Sequence, residues 1–397
     1  MIWLVLREPH STGTKCLPVS ALPRCSGLVL HDSHAEVLAL RGFNYWLLSE
    51  LRKTIEDPGY LSRFIEQSSL EASTSSSGVP GQAPSRPFKL RSSVSIHLFT
   101  TEAPCGDASM ELLMESMPPG TTEPWEHDGV DESKEILQGR GHFSMLGFVR
   151  RKPARADAEP SNSKSCTDKL AIKQFLSIIS FPNDLLIEKT DNAFLRTLVV
   201  YADQYNETGY RRAFGPEGRL SKVPIHRNFF DISKLPLDFP RFAFDRAVLA
   251  CATPGQQKPK VTNTTALWIR DTGDKSGGIL EVLINGVKQG YKQWETRDGK
   301  ASVVSRRKLW DLAVTIVEKW KQMTDEVDKL EACLTTGVST RSIQLQEISD
   351  ALAQGTYSQA KSTLLRRTSI DVKTHVTTSL GNWNQNEADK NWGRASI

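Results

Sequence analysis

His34-Ala35-Glu36, Pro104-Cys105-Gly106-Asp107 and Ser165-Cys166-Thr167-Asp168 are the stretches of this 397-residue chain whose side chains can do chemistry together. Each reads as a helix start. Residues two apart in mid-helix lie about 200° around the axis and cannot serve one site. At a first turn, with Asp32 or Ser33 as the cap, His34 leaves the helical path and points with Glu36 into one pocket. A helix N-terminus also favours the thiolate form of cysteine, the form that binds zinc. One imidazole and two thiolates leave the fourth position of a tetrahedral zinc ion open to water, as in catalytic rather than structural sites. A glutamate beside that water, not itself a ligand, can take its proton and pass it to a leaving amine.

This is the scheme of the zinc nucleobase deaminases, whose signature joins H-x-E to P-C-x-x-C. The chain departs from it, because Ala108 stands three residues after Cys105. The third ligand must come from elsewhere, and Cys166 is the choice. Taken singly, the residues have plainer readings: His-x-Glu is common by chance, and a cysteine at a helix start is more often buried structure than a ligand. The conjunction is stronger than its parts. Cys25, Cys251 and Cys333 lack such surroundings and read as core or surface residues, and Cys16 as a packing residue.

The elements that must position these residues alternate in type. Leu28-Val29-Leu30 is a short strand-like run, followed by a helix from about His34 to Ile55 with Leu40, Phe43, Leu47 and Leu51 on one face. Ser93 to Thr100 alternates like a half-buried strand. Pro104 suits the first turn of a second helix carrying Leu113, Met114 and Met117, and a third helix follows Cys166. Ile279 to Ile284 before Asn285-Gly286 signals a type I′ hairpin, and Ala301 to Leu334 reads as a long amphipathic helical region. The order strand, helix, strand, helix argues for an α/β layer fold with added C-terminal helices. Residues 67–87 and 118–141 are too poor in apolar side chains to offset the entropy of ordering them, and read as disordered insertions in one domain spanning 1–397.

Composition narrows the classes further. Hydrophobic residues make up 39% and charged residues 24%, ordinary for a globular protein. The net charge, 50 − 46 = +4, is too small to announce nucleic-acid binding, so any basic surface must be a local patch. No stretch approaches the roughly 20 apolar residues of a membrane span. Ile2 to Leu6 is also too short for a signal-peptide core. A soluble protein of the cytoplasm or nucleus is expected, with no membrane or DNA partner. Six cysteines are too sparse for a disulfide-stapled secreted domain.

Gly13-Thr14-Lys15-Cys16, His31-Asp32-Ser33-His34-Ala35-Glu36-Val37, Pro104-Cys105-Gly106-Asp107-Ala108-Ser109 and Lys164-Ser165-Cys166-Thr167-Asp168-Lys169-Leu170, in that order, resemble the deaminase domain shared by adenosine deaminases acting on RNA and the eukaryotic tRNA-specific enzymes. Ala213-Phe214-Gly215-Pro216, and the absence from this sequence of a double-stranded-RNA-binding module, favour the fungal-type tRNA branch. The resemblance covers nearly the whole chain and implies a cytidine-deaminase-like three-layer core around a central mixed sheet. It implies zinc on His34, Cys105 and Cys166, Glu36 as proton shuttle, and conversion of the adenosine 3′ of the anticodon in tRNA-Ala to inosine. Thr14 and Lys15 would contact the flipped nucleotide. Met1 to His10 does not resemble the family's longer lead-in, which points to a truncated start.

The resemblance also implies a buried inositol hexakisphosphate behind the zinc site, held by Arg41, Lys169, Arg306, Tyr357, Lys361 and Trp383. Asp32 and Lys169 would relay charge between phosphate and metal. Leu40, Ile172 and Asn386 depart from the family's basic positions, with Lys173, Arg366 and Arg367 as compensating candidates. A basic face including Lys152 and Arg155 is expected to meet RNA. The rival readings are a deaminase of duplex RNA and a catalytically inactive RNA-binding zinc protein. Glu36 argues against the second, since a structural site has no use for a non-ligand carboxylate.

Overall fold

The computed structural model describes residues 2–5, 10–68, 86–117, 137, 143, 145–152, 159–236, 264–270, 277–295, 297–331, 340–381 and 383–394. The insertions expected at 67–87 and 118–141 lie mostly outside these residues, as do Cys251, Cys333 and Arg155. Strands β1 (Ile2–Val5) and β2 (His10–Ser11) precede the helix α1 (Ala35–Glu56). The antiparallel pair β3 (Ile65–Gln67) and β4 (Phe88–Leu90) leads to β5 (Val94–Thr100) and α2 (Met110–Glu115). Then come α3 (Cys166–Leu176), β6 (Leu195–Tyr201), α4 (Glu207–Phe214) and β7 (Asp231–Leu235). Strands β8 (Thr264–Ile269), β9 (Ile279–Ile284) and β10 (Val287–Lys288) follow. The chain closes with α5 (Arg306–Glu331), α6 (Thr340–Leu352), α7 (Tyr357–Lys361) and α8 (Arg367–Leu380).

Two four-stranded sheets carry the α/β fold: a parallel one in the order β1-β5-β6-β7 and an antiparallel one in the order β10-β9-β8-β2. Parallel neighbours require crossovers. The chain passes through α2 and α3 between β5 and β6, and through α4 between β6 and β7. This puts the starts of α1 and α3 and the β5–α2 loop close together. The Asn285-Gly286 turn has φ of 52° and 81°, the positive values a type I′ hairpin needs.

Helix α1 is the pivot of the core. Leu38, Phe43, Trp46, Leu47, Leu48 and Leu51 are all buried, a stripe too wide for a helix covered on one side only. It packs against β2, β8 and α5. Leu40, expected on the buried face, is only half-buried at its edge.

Three local expectations change. Leu28-Val29-Leu30 is buried but forms no strand; it follows the 3-10 segment Val19–Arg24 and is tied down at its two ends, Leu28 N–H to the Cys25 carbonyl and Leu30 N–H to the Gly286 carbonyl, both at 2.9 Å. Pro104 starts no helix, because Gly106 at φ 113° interrupts the path and the first turn begins at Asp107. The long helix begins at Arg306 rather than Ala301, since Ser302 and Val303 are bonded to the buried carboxylate of Glu281.

Leu47 is fully buried in the middle of α1, so Leu47→Ala is expected to cost about 2–5 kcal/mol. Denaturant unfolding measures this, and an unchanged midpoint would contradict the central place of α1.

Candidate active site

His34 caps α1 with extended backbone (φ −68°, ψ 142°), so its ring leaves the helical path while Glu36 sits in the first turn. Asp32 fixes it: Oδ1 accepts the His34 backbone N–H at 3.0 Å and lies 2.9 Å from Nδ1. The Gly13–Lys15 segment clamps the same turn. Gly13 accepts the Ala35 N–H at 3.1 Å and Lys15 accepts the Ser33 N–H at 2.8 Å. Gly13 has φ 137°, and a Cβ there would meet the Ser33 carbonyl at 2.1 Å.

The two cysteine segments are laced together by the residues after Cys166. Its backbone N–H donates to Cys105 Sγ at 3.3 Å. The Thr167 N–H and hydroxyl donate to the carbonyls of Cys105 and Pro104 at 3.0 and 2.9 Å. Ser165 caps α3 by accepting the Asp168 N–H at 3.1 Å and donates to the Asp168 carboxylate at 2.6 Å. Arg219 and the Arg150 N–H complete the surroundings of that buried carboxylate.

The structure therefore brings His34, Cys105 and Cys166 to one place, with His34 hydrogen-bonded to Cys105 and Glu36 close enough to feel its charge. The hydrogen bond from Cys166, with Lys152 and His34 adding, holds the Cys105 sulfur ionised well below the ordinary thiol range. Burial and the facing sulfur push Cys166 the other way. Burial, then the negative charge at Cys105, raises Glu36, which suits a carboxyl that must hold and release a proton. A thiolate, a neighbouring thiol and an imidazole form a donor set that fits zinc, with no carboxylate among the donors.

Lys152 corrects the expectation of an RNA-facing charge. It is 4% exposed, and its ammonium donates to Asp32 at 3.1 Å and to Cys166 Sγ at 3.3 Å. Burial would discharge it, but Asp32, the two sulfurs and Glu36 hold its pKa well above the ordinary value. Lys169 pairs with the same Asp32. Although burial works to raise it, Lys152, Lys169 and His34 keep the Asp32 carboxyl well below its ordinary range. Nothing in the run Arg150-Arg151-Lys152 distinguishes this inward lysine from a surface patch.

Residues 10–387 match the adenosine-deaminase (editase) domain family. The chain belongs to that family. It is 34% identical over 310 residues to tRNA-specific adenosine deaminase 1 of Schizosaccharomyces pombe, covering 76% of this chain and 71% of the relative. For tRNA-specific adenosine deaminase 1 of Saccharomyces cerevisiae the figures are 37%, 76% and 69%. Double-stranded RNA-specific editase B2 of Mus musculus is 26% identical over 66% of this chain and 32% of its own length.

Behind the His34 turn, this editase domain gathers a cluster of half-buried cations. Arg41 donates to the Val304 carbonyl at 2.8 Å, and burial, then Arg306, brings it down to about 10. Arg306 and Lys361 lie 5.9 and 5.3 Å from the ring centre of Tyr357. Burial, then Arg306 and Arg366, pushes Lys361 down to about 7. Burial, then Lys189, does the same to Lys173. Lys373 of α8, which no motif signals, is lowered to about 8 by burial, then by Lys361. Trp383 sits under Lys164 at 5.4 Å, and Lys169 stands at the edge beside Asp32. Asp184 offsets part of this charge by pairing with Arg366 and Lys189. Half-buried cations that depress one another fit a polyanion between them.

The departures from the family's basic positions have visible consequences. Ile172 is buried, and the Asn386 amide donates to His31 Nδ1 at 2.9 Å. Of the compensating candidates, Lys173 and Arg366 lie within the cluster. Arg367 does not: it pairs with Asp371 on the exposed side of α8.

Elsewhere, Cys25, His31 and Asp389 bring donor atoms within 4.8 Å of one another. They are already engaged. His31 Nε2 bonds Asp389 at 2.7 Å, and Asp389 also accepts the Gly27 N–H at 3.1 Å and pairs with Arg306. Burial, then Asp389, pushes the Cys25 thiol up to about 12. The group anchors the C-terminal tail against the cap of α1.

Two outcomes follow from these contacts. A Cβ on Gly106 would meet the Ser165 hydroxyl at 2.2 Å from a backbone at φ 113°, so Gly106→Ala should part the two cysteine loops and lower the metal content of purified protein. Full metal content would contradict the packing described. Lys173, Lys361 and Lys373 have folded-state pKa values of about 7, 7 and 8, against about 10.4 unfolded. Between these limits the unfolded chain binds more protons, so stability rises with pH. The melting temperature of polyanion-free protein should rise from about pH 7 to 9, and a polyanion that keeps the lysines charged should flatten or reverse the slope. A fall without polyanion would contradict the cluster.

Proposed function

We propose that the chain is a zinc-dependent enzyme that hydrolyses adenosine to inosine and ammonia in tRNA, at the adenosine 3′ of the anticodon of tRNA-Ala. The observation that carries the chemistry is the convergence of His34, Cys105 and Cys166, with Glu36 beside them rather than among them. The choice of tRNA is supported by the names of the two yeast relatives.

His34, Cys105 and Cys166 would hold zinc, which would make a water acidic enough to lose a proton near neutral pH and so become the nucleophile for the ring carbon that bears the amine. Glu36 takes one proton of that water and gives it to the purine ring nitrogen, then takes the second from the new hydroxyl on the carbon and delivers it to the amine, which leaves as ammonia. Its raised pKa lets it hold the proton between these transfers. Asp32, bonded at His34 Nδ1, fixes the ring's orientation and tautomer. Lys152 balances the negative charge gathered at Cys105 and Cys166. Thr14 is exposed and Lys15 half-buried beside the His34 turn, where they meet the flipped nucleotide. An inositol hexakisphosphate among Arg41, Lys173, Arg306, Lys361, Arg366 and Lys373 neutralises the half-buried cations. This reading places the protein in the cytoplasm or nucleus, where tRNA is processed.

The direct assay is inosine formation in a tRNA-Ala transcript; absence of inosine from folded, metal-loaded protein would contradict the activity. Glu36→Gln should lower kcat by roughly 10²–10⁴-fold with metal content unchanged, and loss of metal instead would make Glu36 a ligand. Native mass spectrometry should find one polyphosphate per chain, and a folded protein without it would refute that ligand.

A further inference from the structure

A cavity of about 330 Å³ lies beside the Gly13–Lys15 segment, reaching Ser33, the neighbour of His34. Its volume is within the range of about 300–1,000 Å³ typical of small-ligand sites. Its far wall is the pair Arg24–Trp294, with the guanidinium carbon 4.2 Å from the ring centre. Arg24 is exposed and Trp294 is 36% exposed. With Lys15, the lining carries two cations and, among the described residues, no carboxylate.

The wall is built rather than incidental. Lys300, only 3% exposed, donates to the carbonyls of Gln293, at 2.9 Å, and Glu295, and so fixes the backbone on both sides of Trp294. Gln293 Nε2 donates to the Asn285 carbonyl at 2.9 Å and ties this loop to the β9–β10 turn. The same turn is fixed to Leu30, four residues before His34, through the Gly286 carbonyl. A large aromatic is thus held half in water, at a set place relative to the catalytic turn, with an arginine stacked on it. Aromatic rings and guanidinium planes are the surfaces on which proteins stack unpaired bases, and lysine beside them meets the backbone phosphate.

We propose that this cavity receives a nucleotide flanking the target adenosine in the RNA, its base stacked on the Arg24–Trp294 platform and its phosphate on Lys15. The assignment rests on the reading above that the substrate is RNA. Once the adenosine is drawn into the zinc pocket, the neighbouring base loses its stacking partner. The platform restores that contact and holds the strand in register.

The test compares wild-type protein with Trp294→Ala, Trp294→Phe, Arg24→Gln and Lys15→Gln on the tRNA-Ala transcript. Metal content and melting temperature serve as checks on folding. Losing one stacked base should raise KM and Kd about tenfold while kcat stays within about twofold, and Trp294→Phe should restore most of the loss. Lys15→Gln, which removes the charge placed on the phosphate, should reduce the slope of log affinity against log salt by about one, and Arg24→Gln should weaken binding as Trp294→Ala does. A transcript with 4-thiouridine beside the target should cross-link within Asn285–Glu295 or Val19–Arg24. Wild-type deamination with KM, salt slope and cross-links indifferent to these residues overturns the subsite and leaves the activity standing. A wild-type protein that neither binds nor deaminates RNA overturns both.

Discussion

The Asp32 carboxylate is the interaction on which the rest of the site depends. It is 6% exposed, and it receives the His34 backbone N–H, the His34 ring, the Lys152 ammonium and the Lys169 ammonium. An isolated buried carboxylate costs several kcal/mol, so these partners are a condition for its presence. Each partner leads to a different element. His34 opens α1, Lys169 lies in the first turn of α3, and Lys152 continues to Cys166. One anion thereby sets the orientation of the imidazole and the charge balance of the sulfurs, and couples the starts of two helices that the parallel sheet brings side by side.

The same anion divides the interior into two electrostatic regions. Toward Glu36, burial and then the negative charge at Cys105 raise the glutamate, as suits the proton carrier proposed here. Away from it, Arg41, Lys173, Arg306, Lys361, Arg366 and Lys373 gather around Tyr357 and Asp184 with too few carboxylates to balance them. A net charge of +4 therefore says little about the outer surface, because several of the positive side chains are turned inward. The His31–Asp389 and Asn386–His31 bonds close this region by holding the C-terminal tail against the His34 turn.

The residues that the structure brings together around His34 were legible because their signals are local. H-x-E at a helix start and two cysteines at chain turns are readable without knowing what packs where, and α1, β5, α3 and the Asn285-Gly286 hairpin follow from periodicity and turn chemistry. What stayed hidden depends on distant partners. Leu28-Val29-Leu30 has strand composition but finds a turn bond to Cys25 and a single bond to Gly286 instead of a ladder. Lys152 lies in a basic run and becomes a buried counter-ion only because Asp32 and Cys166 meet there. Asn386 is spent on a bond to His31, and Lys373 enters the cation cluster through the packing of α8 on α3. Strand β6 pairs with β5, and β7 with β6, across long crossovers, which no short-range pattern in their own residues announces.

Metal content of purified Asp32→Asn protein, measured beside the wild type, tests the central role of this carboxylate most directly. The amide keeps the shape and removes the charge that orients His34 and balances Lys152, so the variant should retain its secondary structure and, on the proposed reading that zinc binds at His34, Cys105 and Cys166, lose most of the metal. A folded variant with wild-type zinc would contradict the dependence of the site on Asp32.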